Sequence, residues 1–577
     1  MPVISKILSG EYRDSLFLMR ISEELSKKPE IKNAVVVMGT PSNLEILKEL
    51  GMLTNEITTA SSDDLVISLE TYDNSFSEKI ISETISLLSK TERKETRKAY
   101  YSLSDALDKN PSANIVVISI SGEYVYPVAE EAINAGRNVF CFSSNLSVEE
   151  EIQLKKNAIS KKVLFMGPDC GTAIIDGVGL GFANSVRRGN IGVVSASGSG
   201  LQEFSVLINE GGGGISQAIG VGSRDLLTGV DGLMTLESLK RLAFSGEIKV
   251  LVLIAKRSSS DVVEKIAKIA SDTGMPVIIY LADQSSTIKF PHYEGLFLTQ
   301  TITEAADLAL SSIGLNNSSI NKDIGKYQSQ WIEKNVGKLT AEQKWIRGLY
   351  AGGSLRGEAK NIIERIVGNV LSEEDINKNE KQNIKGNLLI DLGAEEFTQG
   401  RAHPFIDPRI RSLYLKKAME DPEVACILID IVLGWGSHYD PGGIFIENLQ
   451  QIRKQESHEI REIPIIASVC GSSDDPQSLS EQRKKLLSED IYLGRSSSEA
   501  AYVAIKLLIR NQVRREQNIN LRSRSNLLFE TEPEIVNVGL EHFAKAIESQ
   551  GIKVIRVNWQ PPVKRSKEID KLLDSLL

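Results

Sequence analysis

The chain has 577 residues, of which 41% are hydrophobic and 25% charged, and its formal net charge is −9. Such a length allows about three or four domains, and the composition is typical of a globular protein with well-filled cores. The acidic balance argues against nucleic acids and membranes as partners, since nucleic acids and anionic lipids need a basic surface, and no apolar run is long enough to cross a bilayer.

The cysteines and the N-terminal sequence indicate the compartment. Cys141, Cys170, Cys426 and Cys470 have neither the spacing of a disulfide scaffold nor that of a CxxC motif. The first residues lack the long apolar core of a signal peptide. We therefore expect a cytoplasmic protein whose thiols stay reduced.

Residues 1–185 are predicted to form an N-terminal α/β region. Apolar strands are expected at 34–38, 114–120, 139–142 and 163–166. Helical patterns separate the last three of these strands, and strands that alternate with helices favour a parallel sheet.

A second α/β domain, predicted at 186–318, contains the clearest candidate site. A buried strand at 189–195 turns through four small residues into a helix at 201–209. Small residues at a helix start let an anion approach the first backbone N–H groups, so the turn predicts a phosphate or carboxylate seat. These residues are Ser197, Gly198, Ser199 and Gly200. The alternative interpretation is an ordinary strand-to-helix turn.

The next strand of this domain, at 215–221, ends in charged residues. Arg224 and Asp225 follow it directly. In open α/β sheets ligands bind at the carboxyl ends of the strands, so both residues are candidates for contact with a substrate.

A polar segment at 319–340 is predicted as a linker, followed by a third α/β domain at 341–515 and a C-terminal tail at 516–577. The third domain repeats the pattern of the second. Its helix start at Gly352, Gly353 and Ser354 predicts a weaker anion seat, and its strand at 388–391 ends in the candidate Asp391. Two helix N-termini could then face one another across a cleft, each offering partial positive charge.

The loop 400–408 supplies the candidate catalytic side chains. Arg401 has a planar fork that suits a carboxylate or phosphate, and His403 is expected to transfer a proton near neutral pH. Asp407 is a further candidate for substrate binding. The alternative is a rigid structural loop in which Asp407 only caps a turn. His438 is taken as non-essential, and no spacing of ligands predicts a metal site.

Several motifs carry a resemblance to known proteins. They are M-G-P-D-C-G-T at 166–172, F-A-N at 182–184, G-N-I-G-V-V-S-A-S-G-S-G-L-Q-E at 189–203, A-I-G-V-G-S-R-D-L at 218–226 and G-R-A-H-P-F-I-D-P at 400–408. On these motifs the chain resembles the FdrA family, acyl-CoA synthetase-like proteins associated with oxamate carbamoyltransferase. It is also similar to the ligase domains of the succinyl-CoA synthetase α and β subunits.

The resemblance implies an architecture of several doubly wound parallel-sheet domains, Rossmann- or flavodoxin-like. A CoA-binding-like domain would end the N-terminal region, and α-type and β-type ligase domains would be fused in one chain without an ATP-grasp domain. His292 matches the phosphohistidine segment of the synthetases by position. Lys256 and Arg257 replace the Glu that orients that histidine there, so no phosphohistidine is expected at His292.

The resemblance also implies a function. The chain would be a transferase subunit that moves a carbamoyl group between oxalurate or oxamate and phosphate in allantoin catabolism. Arg224 and Arg401 would neutralise the substrate carboxylate, phosphate would be a substrate, and carbamoyl phosphate and other complex subunits would be partners. We expect no tightly bound cofactor, with CoA as a further candidate ligand, and a homo-oligomer. The alternatives are an ATP- and CoA-dependent acyl-CoA synthetase working with a nucleotide-binding partner, and a non-catalytic scaffold subunit.

Overall fold

The computed structural model describes residues 2–11, 13, 15–26, 28–73, 77–90, 100–120, 122–282, 294–315, 321–340, 342–373, 375, 384–398, 402–454, 461–520 and 533–559. The chain divides into two compact units, Met1–Asn511 and Gln512–Leu577. Among the described residues, no helix combines the length and the apolar character that a bilayer crossing requires.

The first sheet is small and antiparallel, unlike the parallel sheets predicted for the chain. Its strands are β1 (Val3–Leu8), β2 (Ile31–Met38) and β3 (Leu65–Thr71), in the order β1-β3-β2. Helices α1 (Ser15–Ser26), α2 (Pro41–Glu49) and α3 (Ser77–Lys90) accompany it. Leu18 and Leu25 of α1 pack with Leu65, Ile67 and Leu69 of β3 in one buried cluster, which is the core of this part.

A three-stranded parallel sheet follows, as the alternating pattern predicts. It consists of β4 (Ile115–Ile118), β5 (Asn138–Cys141) and β6 (Phe165–Met166) in that order. Its helices are α4 (Leu103–Lys109), α5 (Val125–Asn134) and α6 (Val148–Ser160). Ser147 and Glu150 form a capping box at the start of α6, which fixes where that helix begins.

The third sheet has seven strands and contains the first predicted anion seat. Its strands are β7 (Thr172–Ile175), β8 (Val178–Gly181), β9 (Ile191–Ser195), β10 (Ile215–Gly220), β11 (Val250–Ala255), β12 (Val277–Leu281) and β13 (Leu296–Thr299). Its helices are α7 (Gly198–Glu210), α8 (Leu233–Ala243), α9 (Ser260–Thr273) and α10 (Ile302–Ser312). The order is β13-β12-β11-β9-β10-β7-β8, in which β7 and β8 form an antiparallel hairpin at one edge. This sheet therefore begins before residue 186, the predicted boundary.

The fourth sheet has six parallel strands. They are β14 (Trp345–Tyr350), β15 (Val370–Leu371), β16 (Asn387–Asp391), β17 (Val424–Val432), β18 (Ile465–Cys470) and β19 (Tyr492–Gly494), in the order β15-β16-β14-β17-β18-β19. The helices of this part are α11 (Asn321–Val336), α12 (Gly353–Val367), α13 (Glu395–Thr398), α14 (Ile410–Glu420), α15 (Pro441–Arg453), α16 (Leu479–Ser488) and α17 (Ser497–Asn520). Helix α11 occupies the segment predicted as a linker, and its Trp331, Ile332 and Val336 are buried.

The third and fourth sheets share one strand order, and their domains pack against each other. In the third sheet β9, the strand before α7, lies between β10 and β11, and in the fourth sheet β14, the strand before α12, lies between β16 and β17. Without the hairpin β7–β8 and the short edge strand β15, both sheets have the order 2-1-3-4-5. This is the flavodoxin-like order, which places a ligand crevice at the carboxyl end of the central strand.

The domains of the third and fourth sheets contact each other through reciprocal hydrogen bonds. Glu203 of α7 accepts a 2.8 Å hydrogen bond from Ser497 N–H at the start of α17, and Glu358 of α12 accepts one of 2.6 Å from Ile302 N–H at the start of α10.

The C-terminal unit contains a strand–helix–strand element within the predicted tail. Strands β20 (Ile535–Val538) and β21 (Val554–Val557) pair in parallel, and α18 (Glu541–Glu548) connects them. Gly539, which follows β20 directly, has a φ of 114°, a conformation that side chains disfavour.

Candidate functional site

The N-termini of α7 and α12 meet at the predicted anion seats. Ser197 Oγ accepts a hydrogen bond of 2.9 Å from Gly200 N–H, which caps α7, and donates to Ser354 Oγ of the facing helix. Ser354 N–H donates in turn to Ser199 Oγ at 3.3 Å. The two helix starts, which the sequence analysis expected to face one another, therefore lie in direct contact.

A buried ion pair between Asp430 and Arg411 holds the backbone that leads into α12. Asp430, in the middle of β17, accepts hydrogen bonds from Ala351 N–H at 2.8 Å and Gly352 N–H at 2.7 Å. Arg411 donates to the same carboxylate at 2.6 Å and balances its charge. Burial lowers the pKa of Arg411, and the neighbouring Asp430 opposes that shift. The pair fixes the backbone turn that leads into α12.

Three backbone N–H groups remain at the meeting point. In the part of the chain that the structure describes, no atom accepts a hydrogen bond from the N–H groups of Gly198, Ser199 or Gly353. Buried N–H groups normally have a partner, and two helix dipoles add partial positive charge at this point. The geometry is that of a site for a phosphate or carboxylate group.

A cavity of about 360 Å³ lies over these groups. Besides the two helix starts, Lys256, Asp391 and His403 face it, and Phe142, Phe182 and Phe405 form an aromatic wall. Phe182 packs edge-on against both other rings, with centroid distances of 5.5 and 5.2 Å. The volume suits a phosphate with a small acyl group.

Lys256 and Asp391 approach the start of α12 at the same point. A Cβ atom on Gly353 would lie 2.8 Å from Lys256 Nζ and would overlap Asp391 Oδ2. Asp391 Oδ1 accepts a 3.0 Å hydrogen bond from Gly393 N–H. Burial raises the pKa of Asp391 to about 6, although the nearby Lys256 partly lowers it. Within the described ranges, neither Lys256 Nζ nor Asp391 Oδ2 has a hydrogen-bond partner.

His403 faces the cavity as a hydrogen-bond donor. Its Nδ1 accepts a 3.2 Å hydrogen bond from Phe405 N–H, so the neutral ring carries its proton on Nε2. The ring keeps some accessible surface towards the cavity, but the surrounding protein desolvates it and lowers its pKa to about 4. Near neutral pH the imidazole is thus uncharged, and Nε2–H is available to a ligand oxygen.

The structure thus gathers many of the predicted site residues in one cavity. They are Ser197, Gly198, Ser199, Gly352, Gly353, Ser354, Asp391 and His403. Gly200 acts indirectly, because its N–H group donates a hydrogen bond to Ser197 Oγ. Arg401 and His292 lie outside the described residues.

Three other predicted residues do not line the cavity. Arg224 Nη2 lies 2.9 Å from Glu151 Oε2 and also donates to the carbonyl of Leu146. Asp225 pairs with Lys155 at 2.7 Å and accepts the N–H groups of Met234 and Thr235 at the start of α8.

Asp407, the third, accepts both arms of the Arg409 guanidinium, at 2.7 and 2.6 Å. This pairing lowers the pKa of Asp407 although burial opposes it. Arg224, Asp225 and Asp407 therefore hold loops in place around the cavity.

Sequence reasoning missed two groups that shape the site. Asp430 could have been found from the sequence, because it is the one charged residue in the apolar run of β17. The aromatic wall could not, because Phe142, Phe182 and Phe405 come from separate segments that only the fold brings together.

Comparisons with known proteins place the chain in a family. The protein YahF of Escherichia coli (strain K12), described as uncharacterized, is 36% identical over 516 residues, which cover 88% of this chain and 98% of YahF. The chain belongs to the family of YahF. Residues 349–507 match the CoA-ligase family, and residues 1–102 match the AllF heavy metal-associated domain.

More distant relatives are annotated ligase subunits. The succinate–CoA ligase [ADP-forming] subunit alpha 1 of Archaeoglobus fulgidus is 26% identical over 179 residues, which are 30% of this chain and 60% of the relative. The succinate–CoA ligase subunit alpha of Staphylococcus aureus (strain Mu50) is 25% identical over 220 residues, 37% of this chain and 72% of the relative. Among solved structures, the apo dinucleotide-forming acetyl-coenzyme A synthetase 1 of Ca. Korarchaeum cryptofilum matches with a TM-score of 0.30 and 15% identity, covering 74% of this chain and 88% of that one.

These matches confirm the predicted fold class, several α/β domains with parallel sheets of the succinyl-CoA synthetase type. They also show that residues 349–507 match the CoA-ligase family. The N-terminal match was not foreseen. Residues 1–102 contain neither Cys nor His, two of the common side-chain ligands of transition metals. Among the described residues, no group of three potential metal ligands occurs.

Proposed function

We propose that this chain is an acyl-transfer protein of the CoA-ligase type whose site binds the phosphoryl group of an acyl phosphate. The observation that carries the proposal is the meeting of two helix N-termini with three N–H groups that have no partner in the described residues, beside Lys256. Such an arrangement favours a dianion over a neutral ligand, because both dipoles and the ammonium attract negative charge.

The proposed reaction is transfer of an acyl group from phosphate to CoA. The thiol sulfur attacks the acyl carbon, the carbon–oxygen bond to phosphate breaks, and its electron pair stays on the departing phosphate. The thiol proton passes to solvent or to that phosphate, so the products are acyl-CoA and inorganic phosphate. The seat would stabilise the charge on the leaving phosphate, and His403 Nε2–H would donate to the acyl oxygen.

A second candidate is the carbamoyl transfer that the FdrA resemblance implies. Asp391 Oδ2 has no partner in the described residues and lies beside the seat, so it could accept an N–H of a carbamoyl group. In that case oxamate would replace CoA as acceptor. Membership of FdrA, additional complex subunits, a homo-oligomer and a cytoplasmic location belong to the same proposal.

A parallel assay separates these candidates. The purified chain is incubated with acetyl phosphate or carbamoyl phosphate, each with CoA, with oxamate or with neither, and phosphate, acyl-CoA and oxalurate are measured. Acetyl-CoA with acetyl phosphate supports the main proposal, and oxalurate from carbamoyl phosphate supports the second. Tight binding of both phosphates without any transfer would favour the scaffold alternative. Absence of both binding and transfer would contradict the proposal.

A further inference from the structure

Asp391 is an acidic side chain beside the proposed anion seat. It is buried, with only 8% of its surface exposed, and its Oδ2 points at the start of α12 beside Gly353. A phosphate bound at the start of α12 would therefore lie close to the Asp391 carboxylate, and the two negative charges would repel each other. Such like charges in a desolvated site cannot both stay ionised without a large cost in free energy.

The charged groups that shift the pKa of Asp391 are Lys256, Glu373 and Arg356, and Asp169 is a further acidic residue that lines the cavity. Lys256 follows β11 and is the one cation among the described residues that line the cavity, and Arg356 of α12 also lowers the pKa of Asp391. Arg356 is already paired with Glu373, 2.7 Å away, so its charge is largely compensated. His403 faces the same space but is neutral above about pH 4. Among the described residues that line the cavity, Lys256 is thus the one that offers an unshared positive charge to both Asp391 and a ligand.

Lys256 cannot satisfy both partners equally. Its ammonium group and the Asp391 carboxylate both approach the Cβ position of Gly353, and Lys256 stabilises the ionised form of Asp391. An arriving dianion would draw Lys256 towards itself and add repulsion to Asp391. The carboxylate then loses its stabilising cation and gains a like charge, and both changes favour its protonated form.

We propose that Asp391 takes up a proton when an oxyanion binds at the seat between α7 and α12, so that ligand binding is coupled to protonation. The inference rests on the proposed function, because it assumes that this seat binds anions. Once protonated, Asp391 becomes a donor, and its O–H can hydrogen-bond the anion instead of repelling it. A group that repels the ligand at high pH thus becomes one of its binding contacts.

Linkage fixes the direction of the effect. The ligand-free carboxyl group titrates at about pH 6, and a bound anion raises this pKa further. Between the two values, affinity falls as pH rises, with a limit of about tenfold per pH unit for one proton. Below about pH 5 Asp391 is protonated in both states, so affinity no longer changes with pH.

Sulfate is the suitable probe, because it does not titrate between pH 5 and 8 whereas phosphate does. Sulfate binding to the full chain is measured by calorimetry from pH 5 to 8, and near pH 7 in two buffers with different ionisation enthalpies. We expect weaker binding at higher pH and uptake of up to about one proton. Asp391→Asn, which keeps size and shape, should bind with no pH dependence and at least about tenfold more tightly than wild type at pH 8.

Glu373→Gln serves as the matched control. The charge of Glu373 raises the pKa of Asp391, so its removal should keep the pH dependence and move it to lower pH. Sulfate binding without pH dependence in the wild type, or equal dependence in Asp391→Asn, would overturn the coupling and leave the seat intact. No sulfate binding at any pH would instead overturn the seat and with it the proposed function. Should Asp391→Asn fail to fold, the proton uptake of the wild type decides the question.

Discussion

Lys256 is the residue on which the anion site depends most directly. Its ammonium group reaches the cavity and has no partner in the described residues, so its replacement breaks no bond of the fold. We expect Lys256→Met to weaken phosphate or sulfate binding roughly 10- to 100-fold, since a charged hydrogen bond contributes about 1.5–3 kcal/mol. The Tm should be unchanged. Lys265→Met, an exposed lysine of α9, is the control, and equal binding by both variants would contradict the assignment.

His403 should have a signature in the pH dependence of stability. Its pKa is about 4 in the folded protein and about 6.5 in an unfolded chain. Between these values the unfolded state binds the extra proton, so the free energy of unfolding falls as pH falls. In His403→Gln this loss is absent. Relative to wild type, the variant should gain roughly 2 kcal/mol between pH 6.5 and 4.5, measured by denaturant unfolding.

A parallel unfolding profile for both proteins would show that His403 titrates normally. Proton transfer by His403, expected from the sequence, stays a prediction. The pattern selected the loop of His403 as a candidate, and the structure places His403 at the cavity, but the pattern could not show that burial and the Phe405 N–H would hold the imidazole neutral. Asp391, named only as a binding candidate, is the cavity group whose pKa of about 6 lies closer to neutrality.

At the scale of elements, helix α12 offers a matched pair of glycines. Gly353 stands at its start, where a Cβ would overlap Asp391 Oδ2 and lie 2.8 Å from Lys256 Nζ. Gly357 stands one turn later, where a Cβ would meet only Ala282 Cβ at 3.7 Å. Gly357→Ala should raise the free energy of unfolding by about 0.5–1 kcal/mol and leave anion binding unchanged.

Gly353→Ala, in contrast to Gly357→Ala, should impair anion binding. The added methyl displaces the Asp391 and Lys256 side chains and fills part of the seat, so we expect roughly tenfold or weaker anion binding. Calorimetry measures the sulfate affinity of each variant, and chemical unfolding measures the free energy of unfolding of each. If Gly353→Ala bound sulfate normally, α12 would not contribute its N-terminus to the site.

The elements also show what the sequence could establish. The strand, the small-residue turn and the helix around Ser197 are a local pattern, and the structure has them where the pattern predicts. Helix α11 was missed because its residues are mostly polar, and only packing of Trp331 and its neighbours against the core stabilises it. The hairpin β7–β8 was missed as part of the third sheet because pairing with β10 is a long-range contact.

At the scale of the whole molecule, two buried glutamates join the ligase-type domains. Burial and mutual repulsion raise the pKa of Glu203, and burial raises that of Glu358. The folded state therefore binds protons that the unfolded state releases, so this contribution to stability is full below about pH 4.5 and is lost as pH rises.

Glu358→Gln keeps the acceptor for Ile302 N–H and removes the charge. The variant should become more stable relative to wild type as pH rises from 5 to 8, which thermal unfolding at several pH values can measure. Glu364→Gln is the control, because Glu364 lies on the same helix and pairs only with Lys360 among the described residues. An unchanged difference between Glu358→Gln and wild type across this range would show that folding does not raise the pKa of Glu358.

The covalent connection between the two domains has a consequence for assembly. The helix starts at Ser197 and Ser354 form one seat, yet they belong to a single polypeptide, whereas the related succinate–CoA ligase α proteins are named as subunits. Tethering holds each half at a high effective concentration relative to the other, so the stoichiometry is always one to one. Anion affinity should then survive dilution to the lowest concentrations that can be assayed, which separately encoded halves would not guarantee.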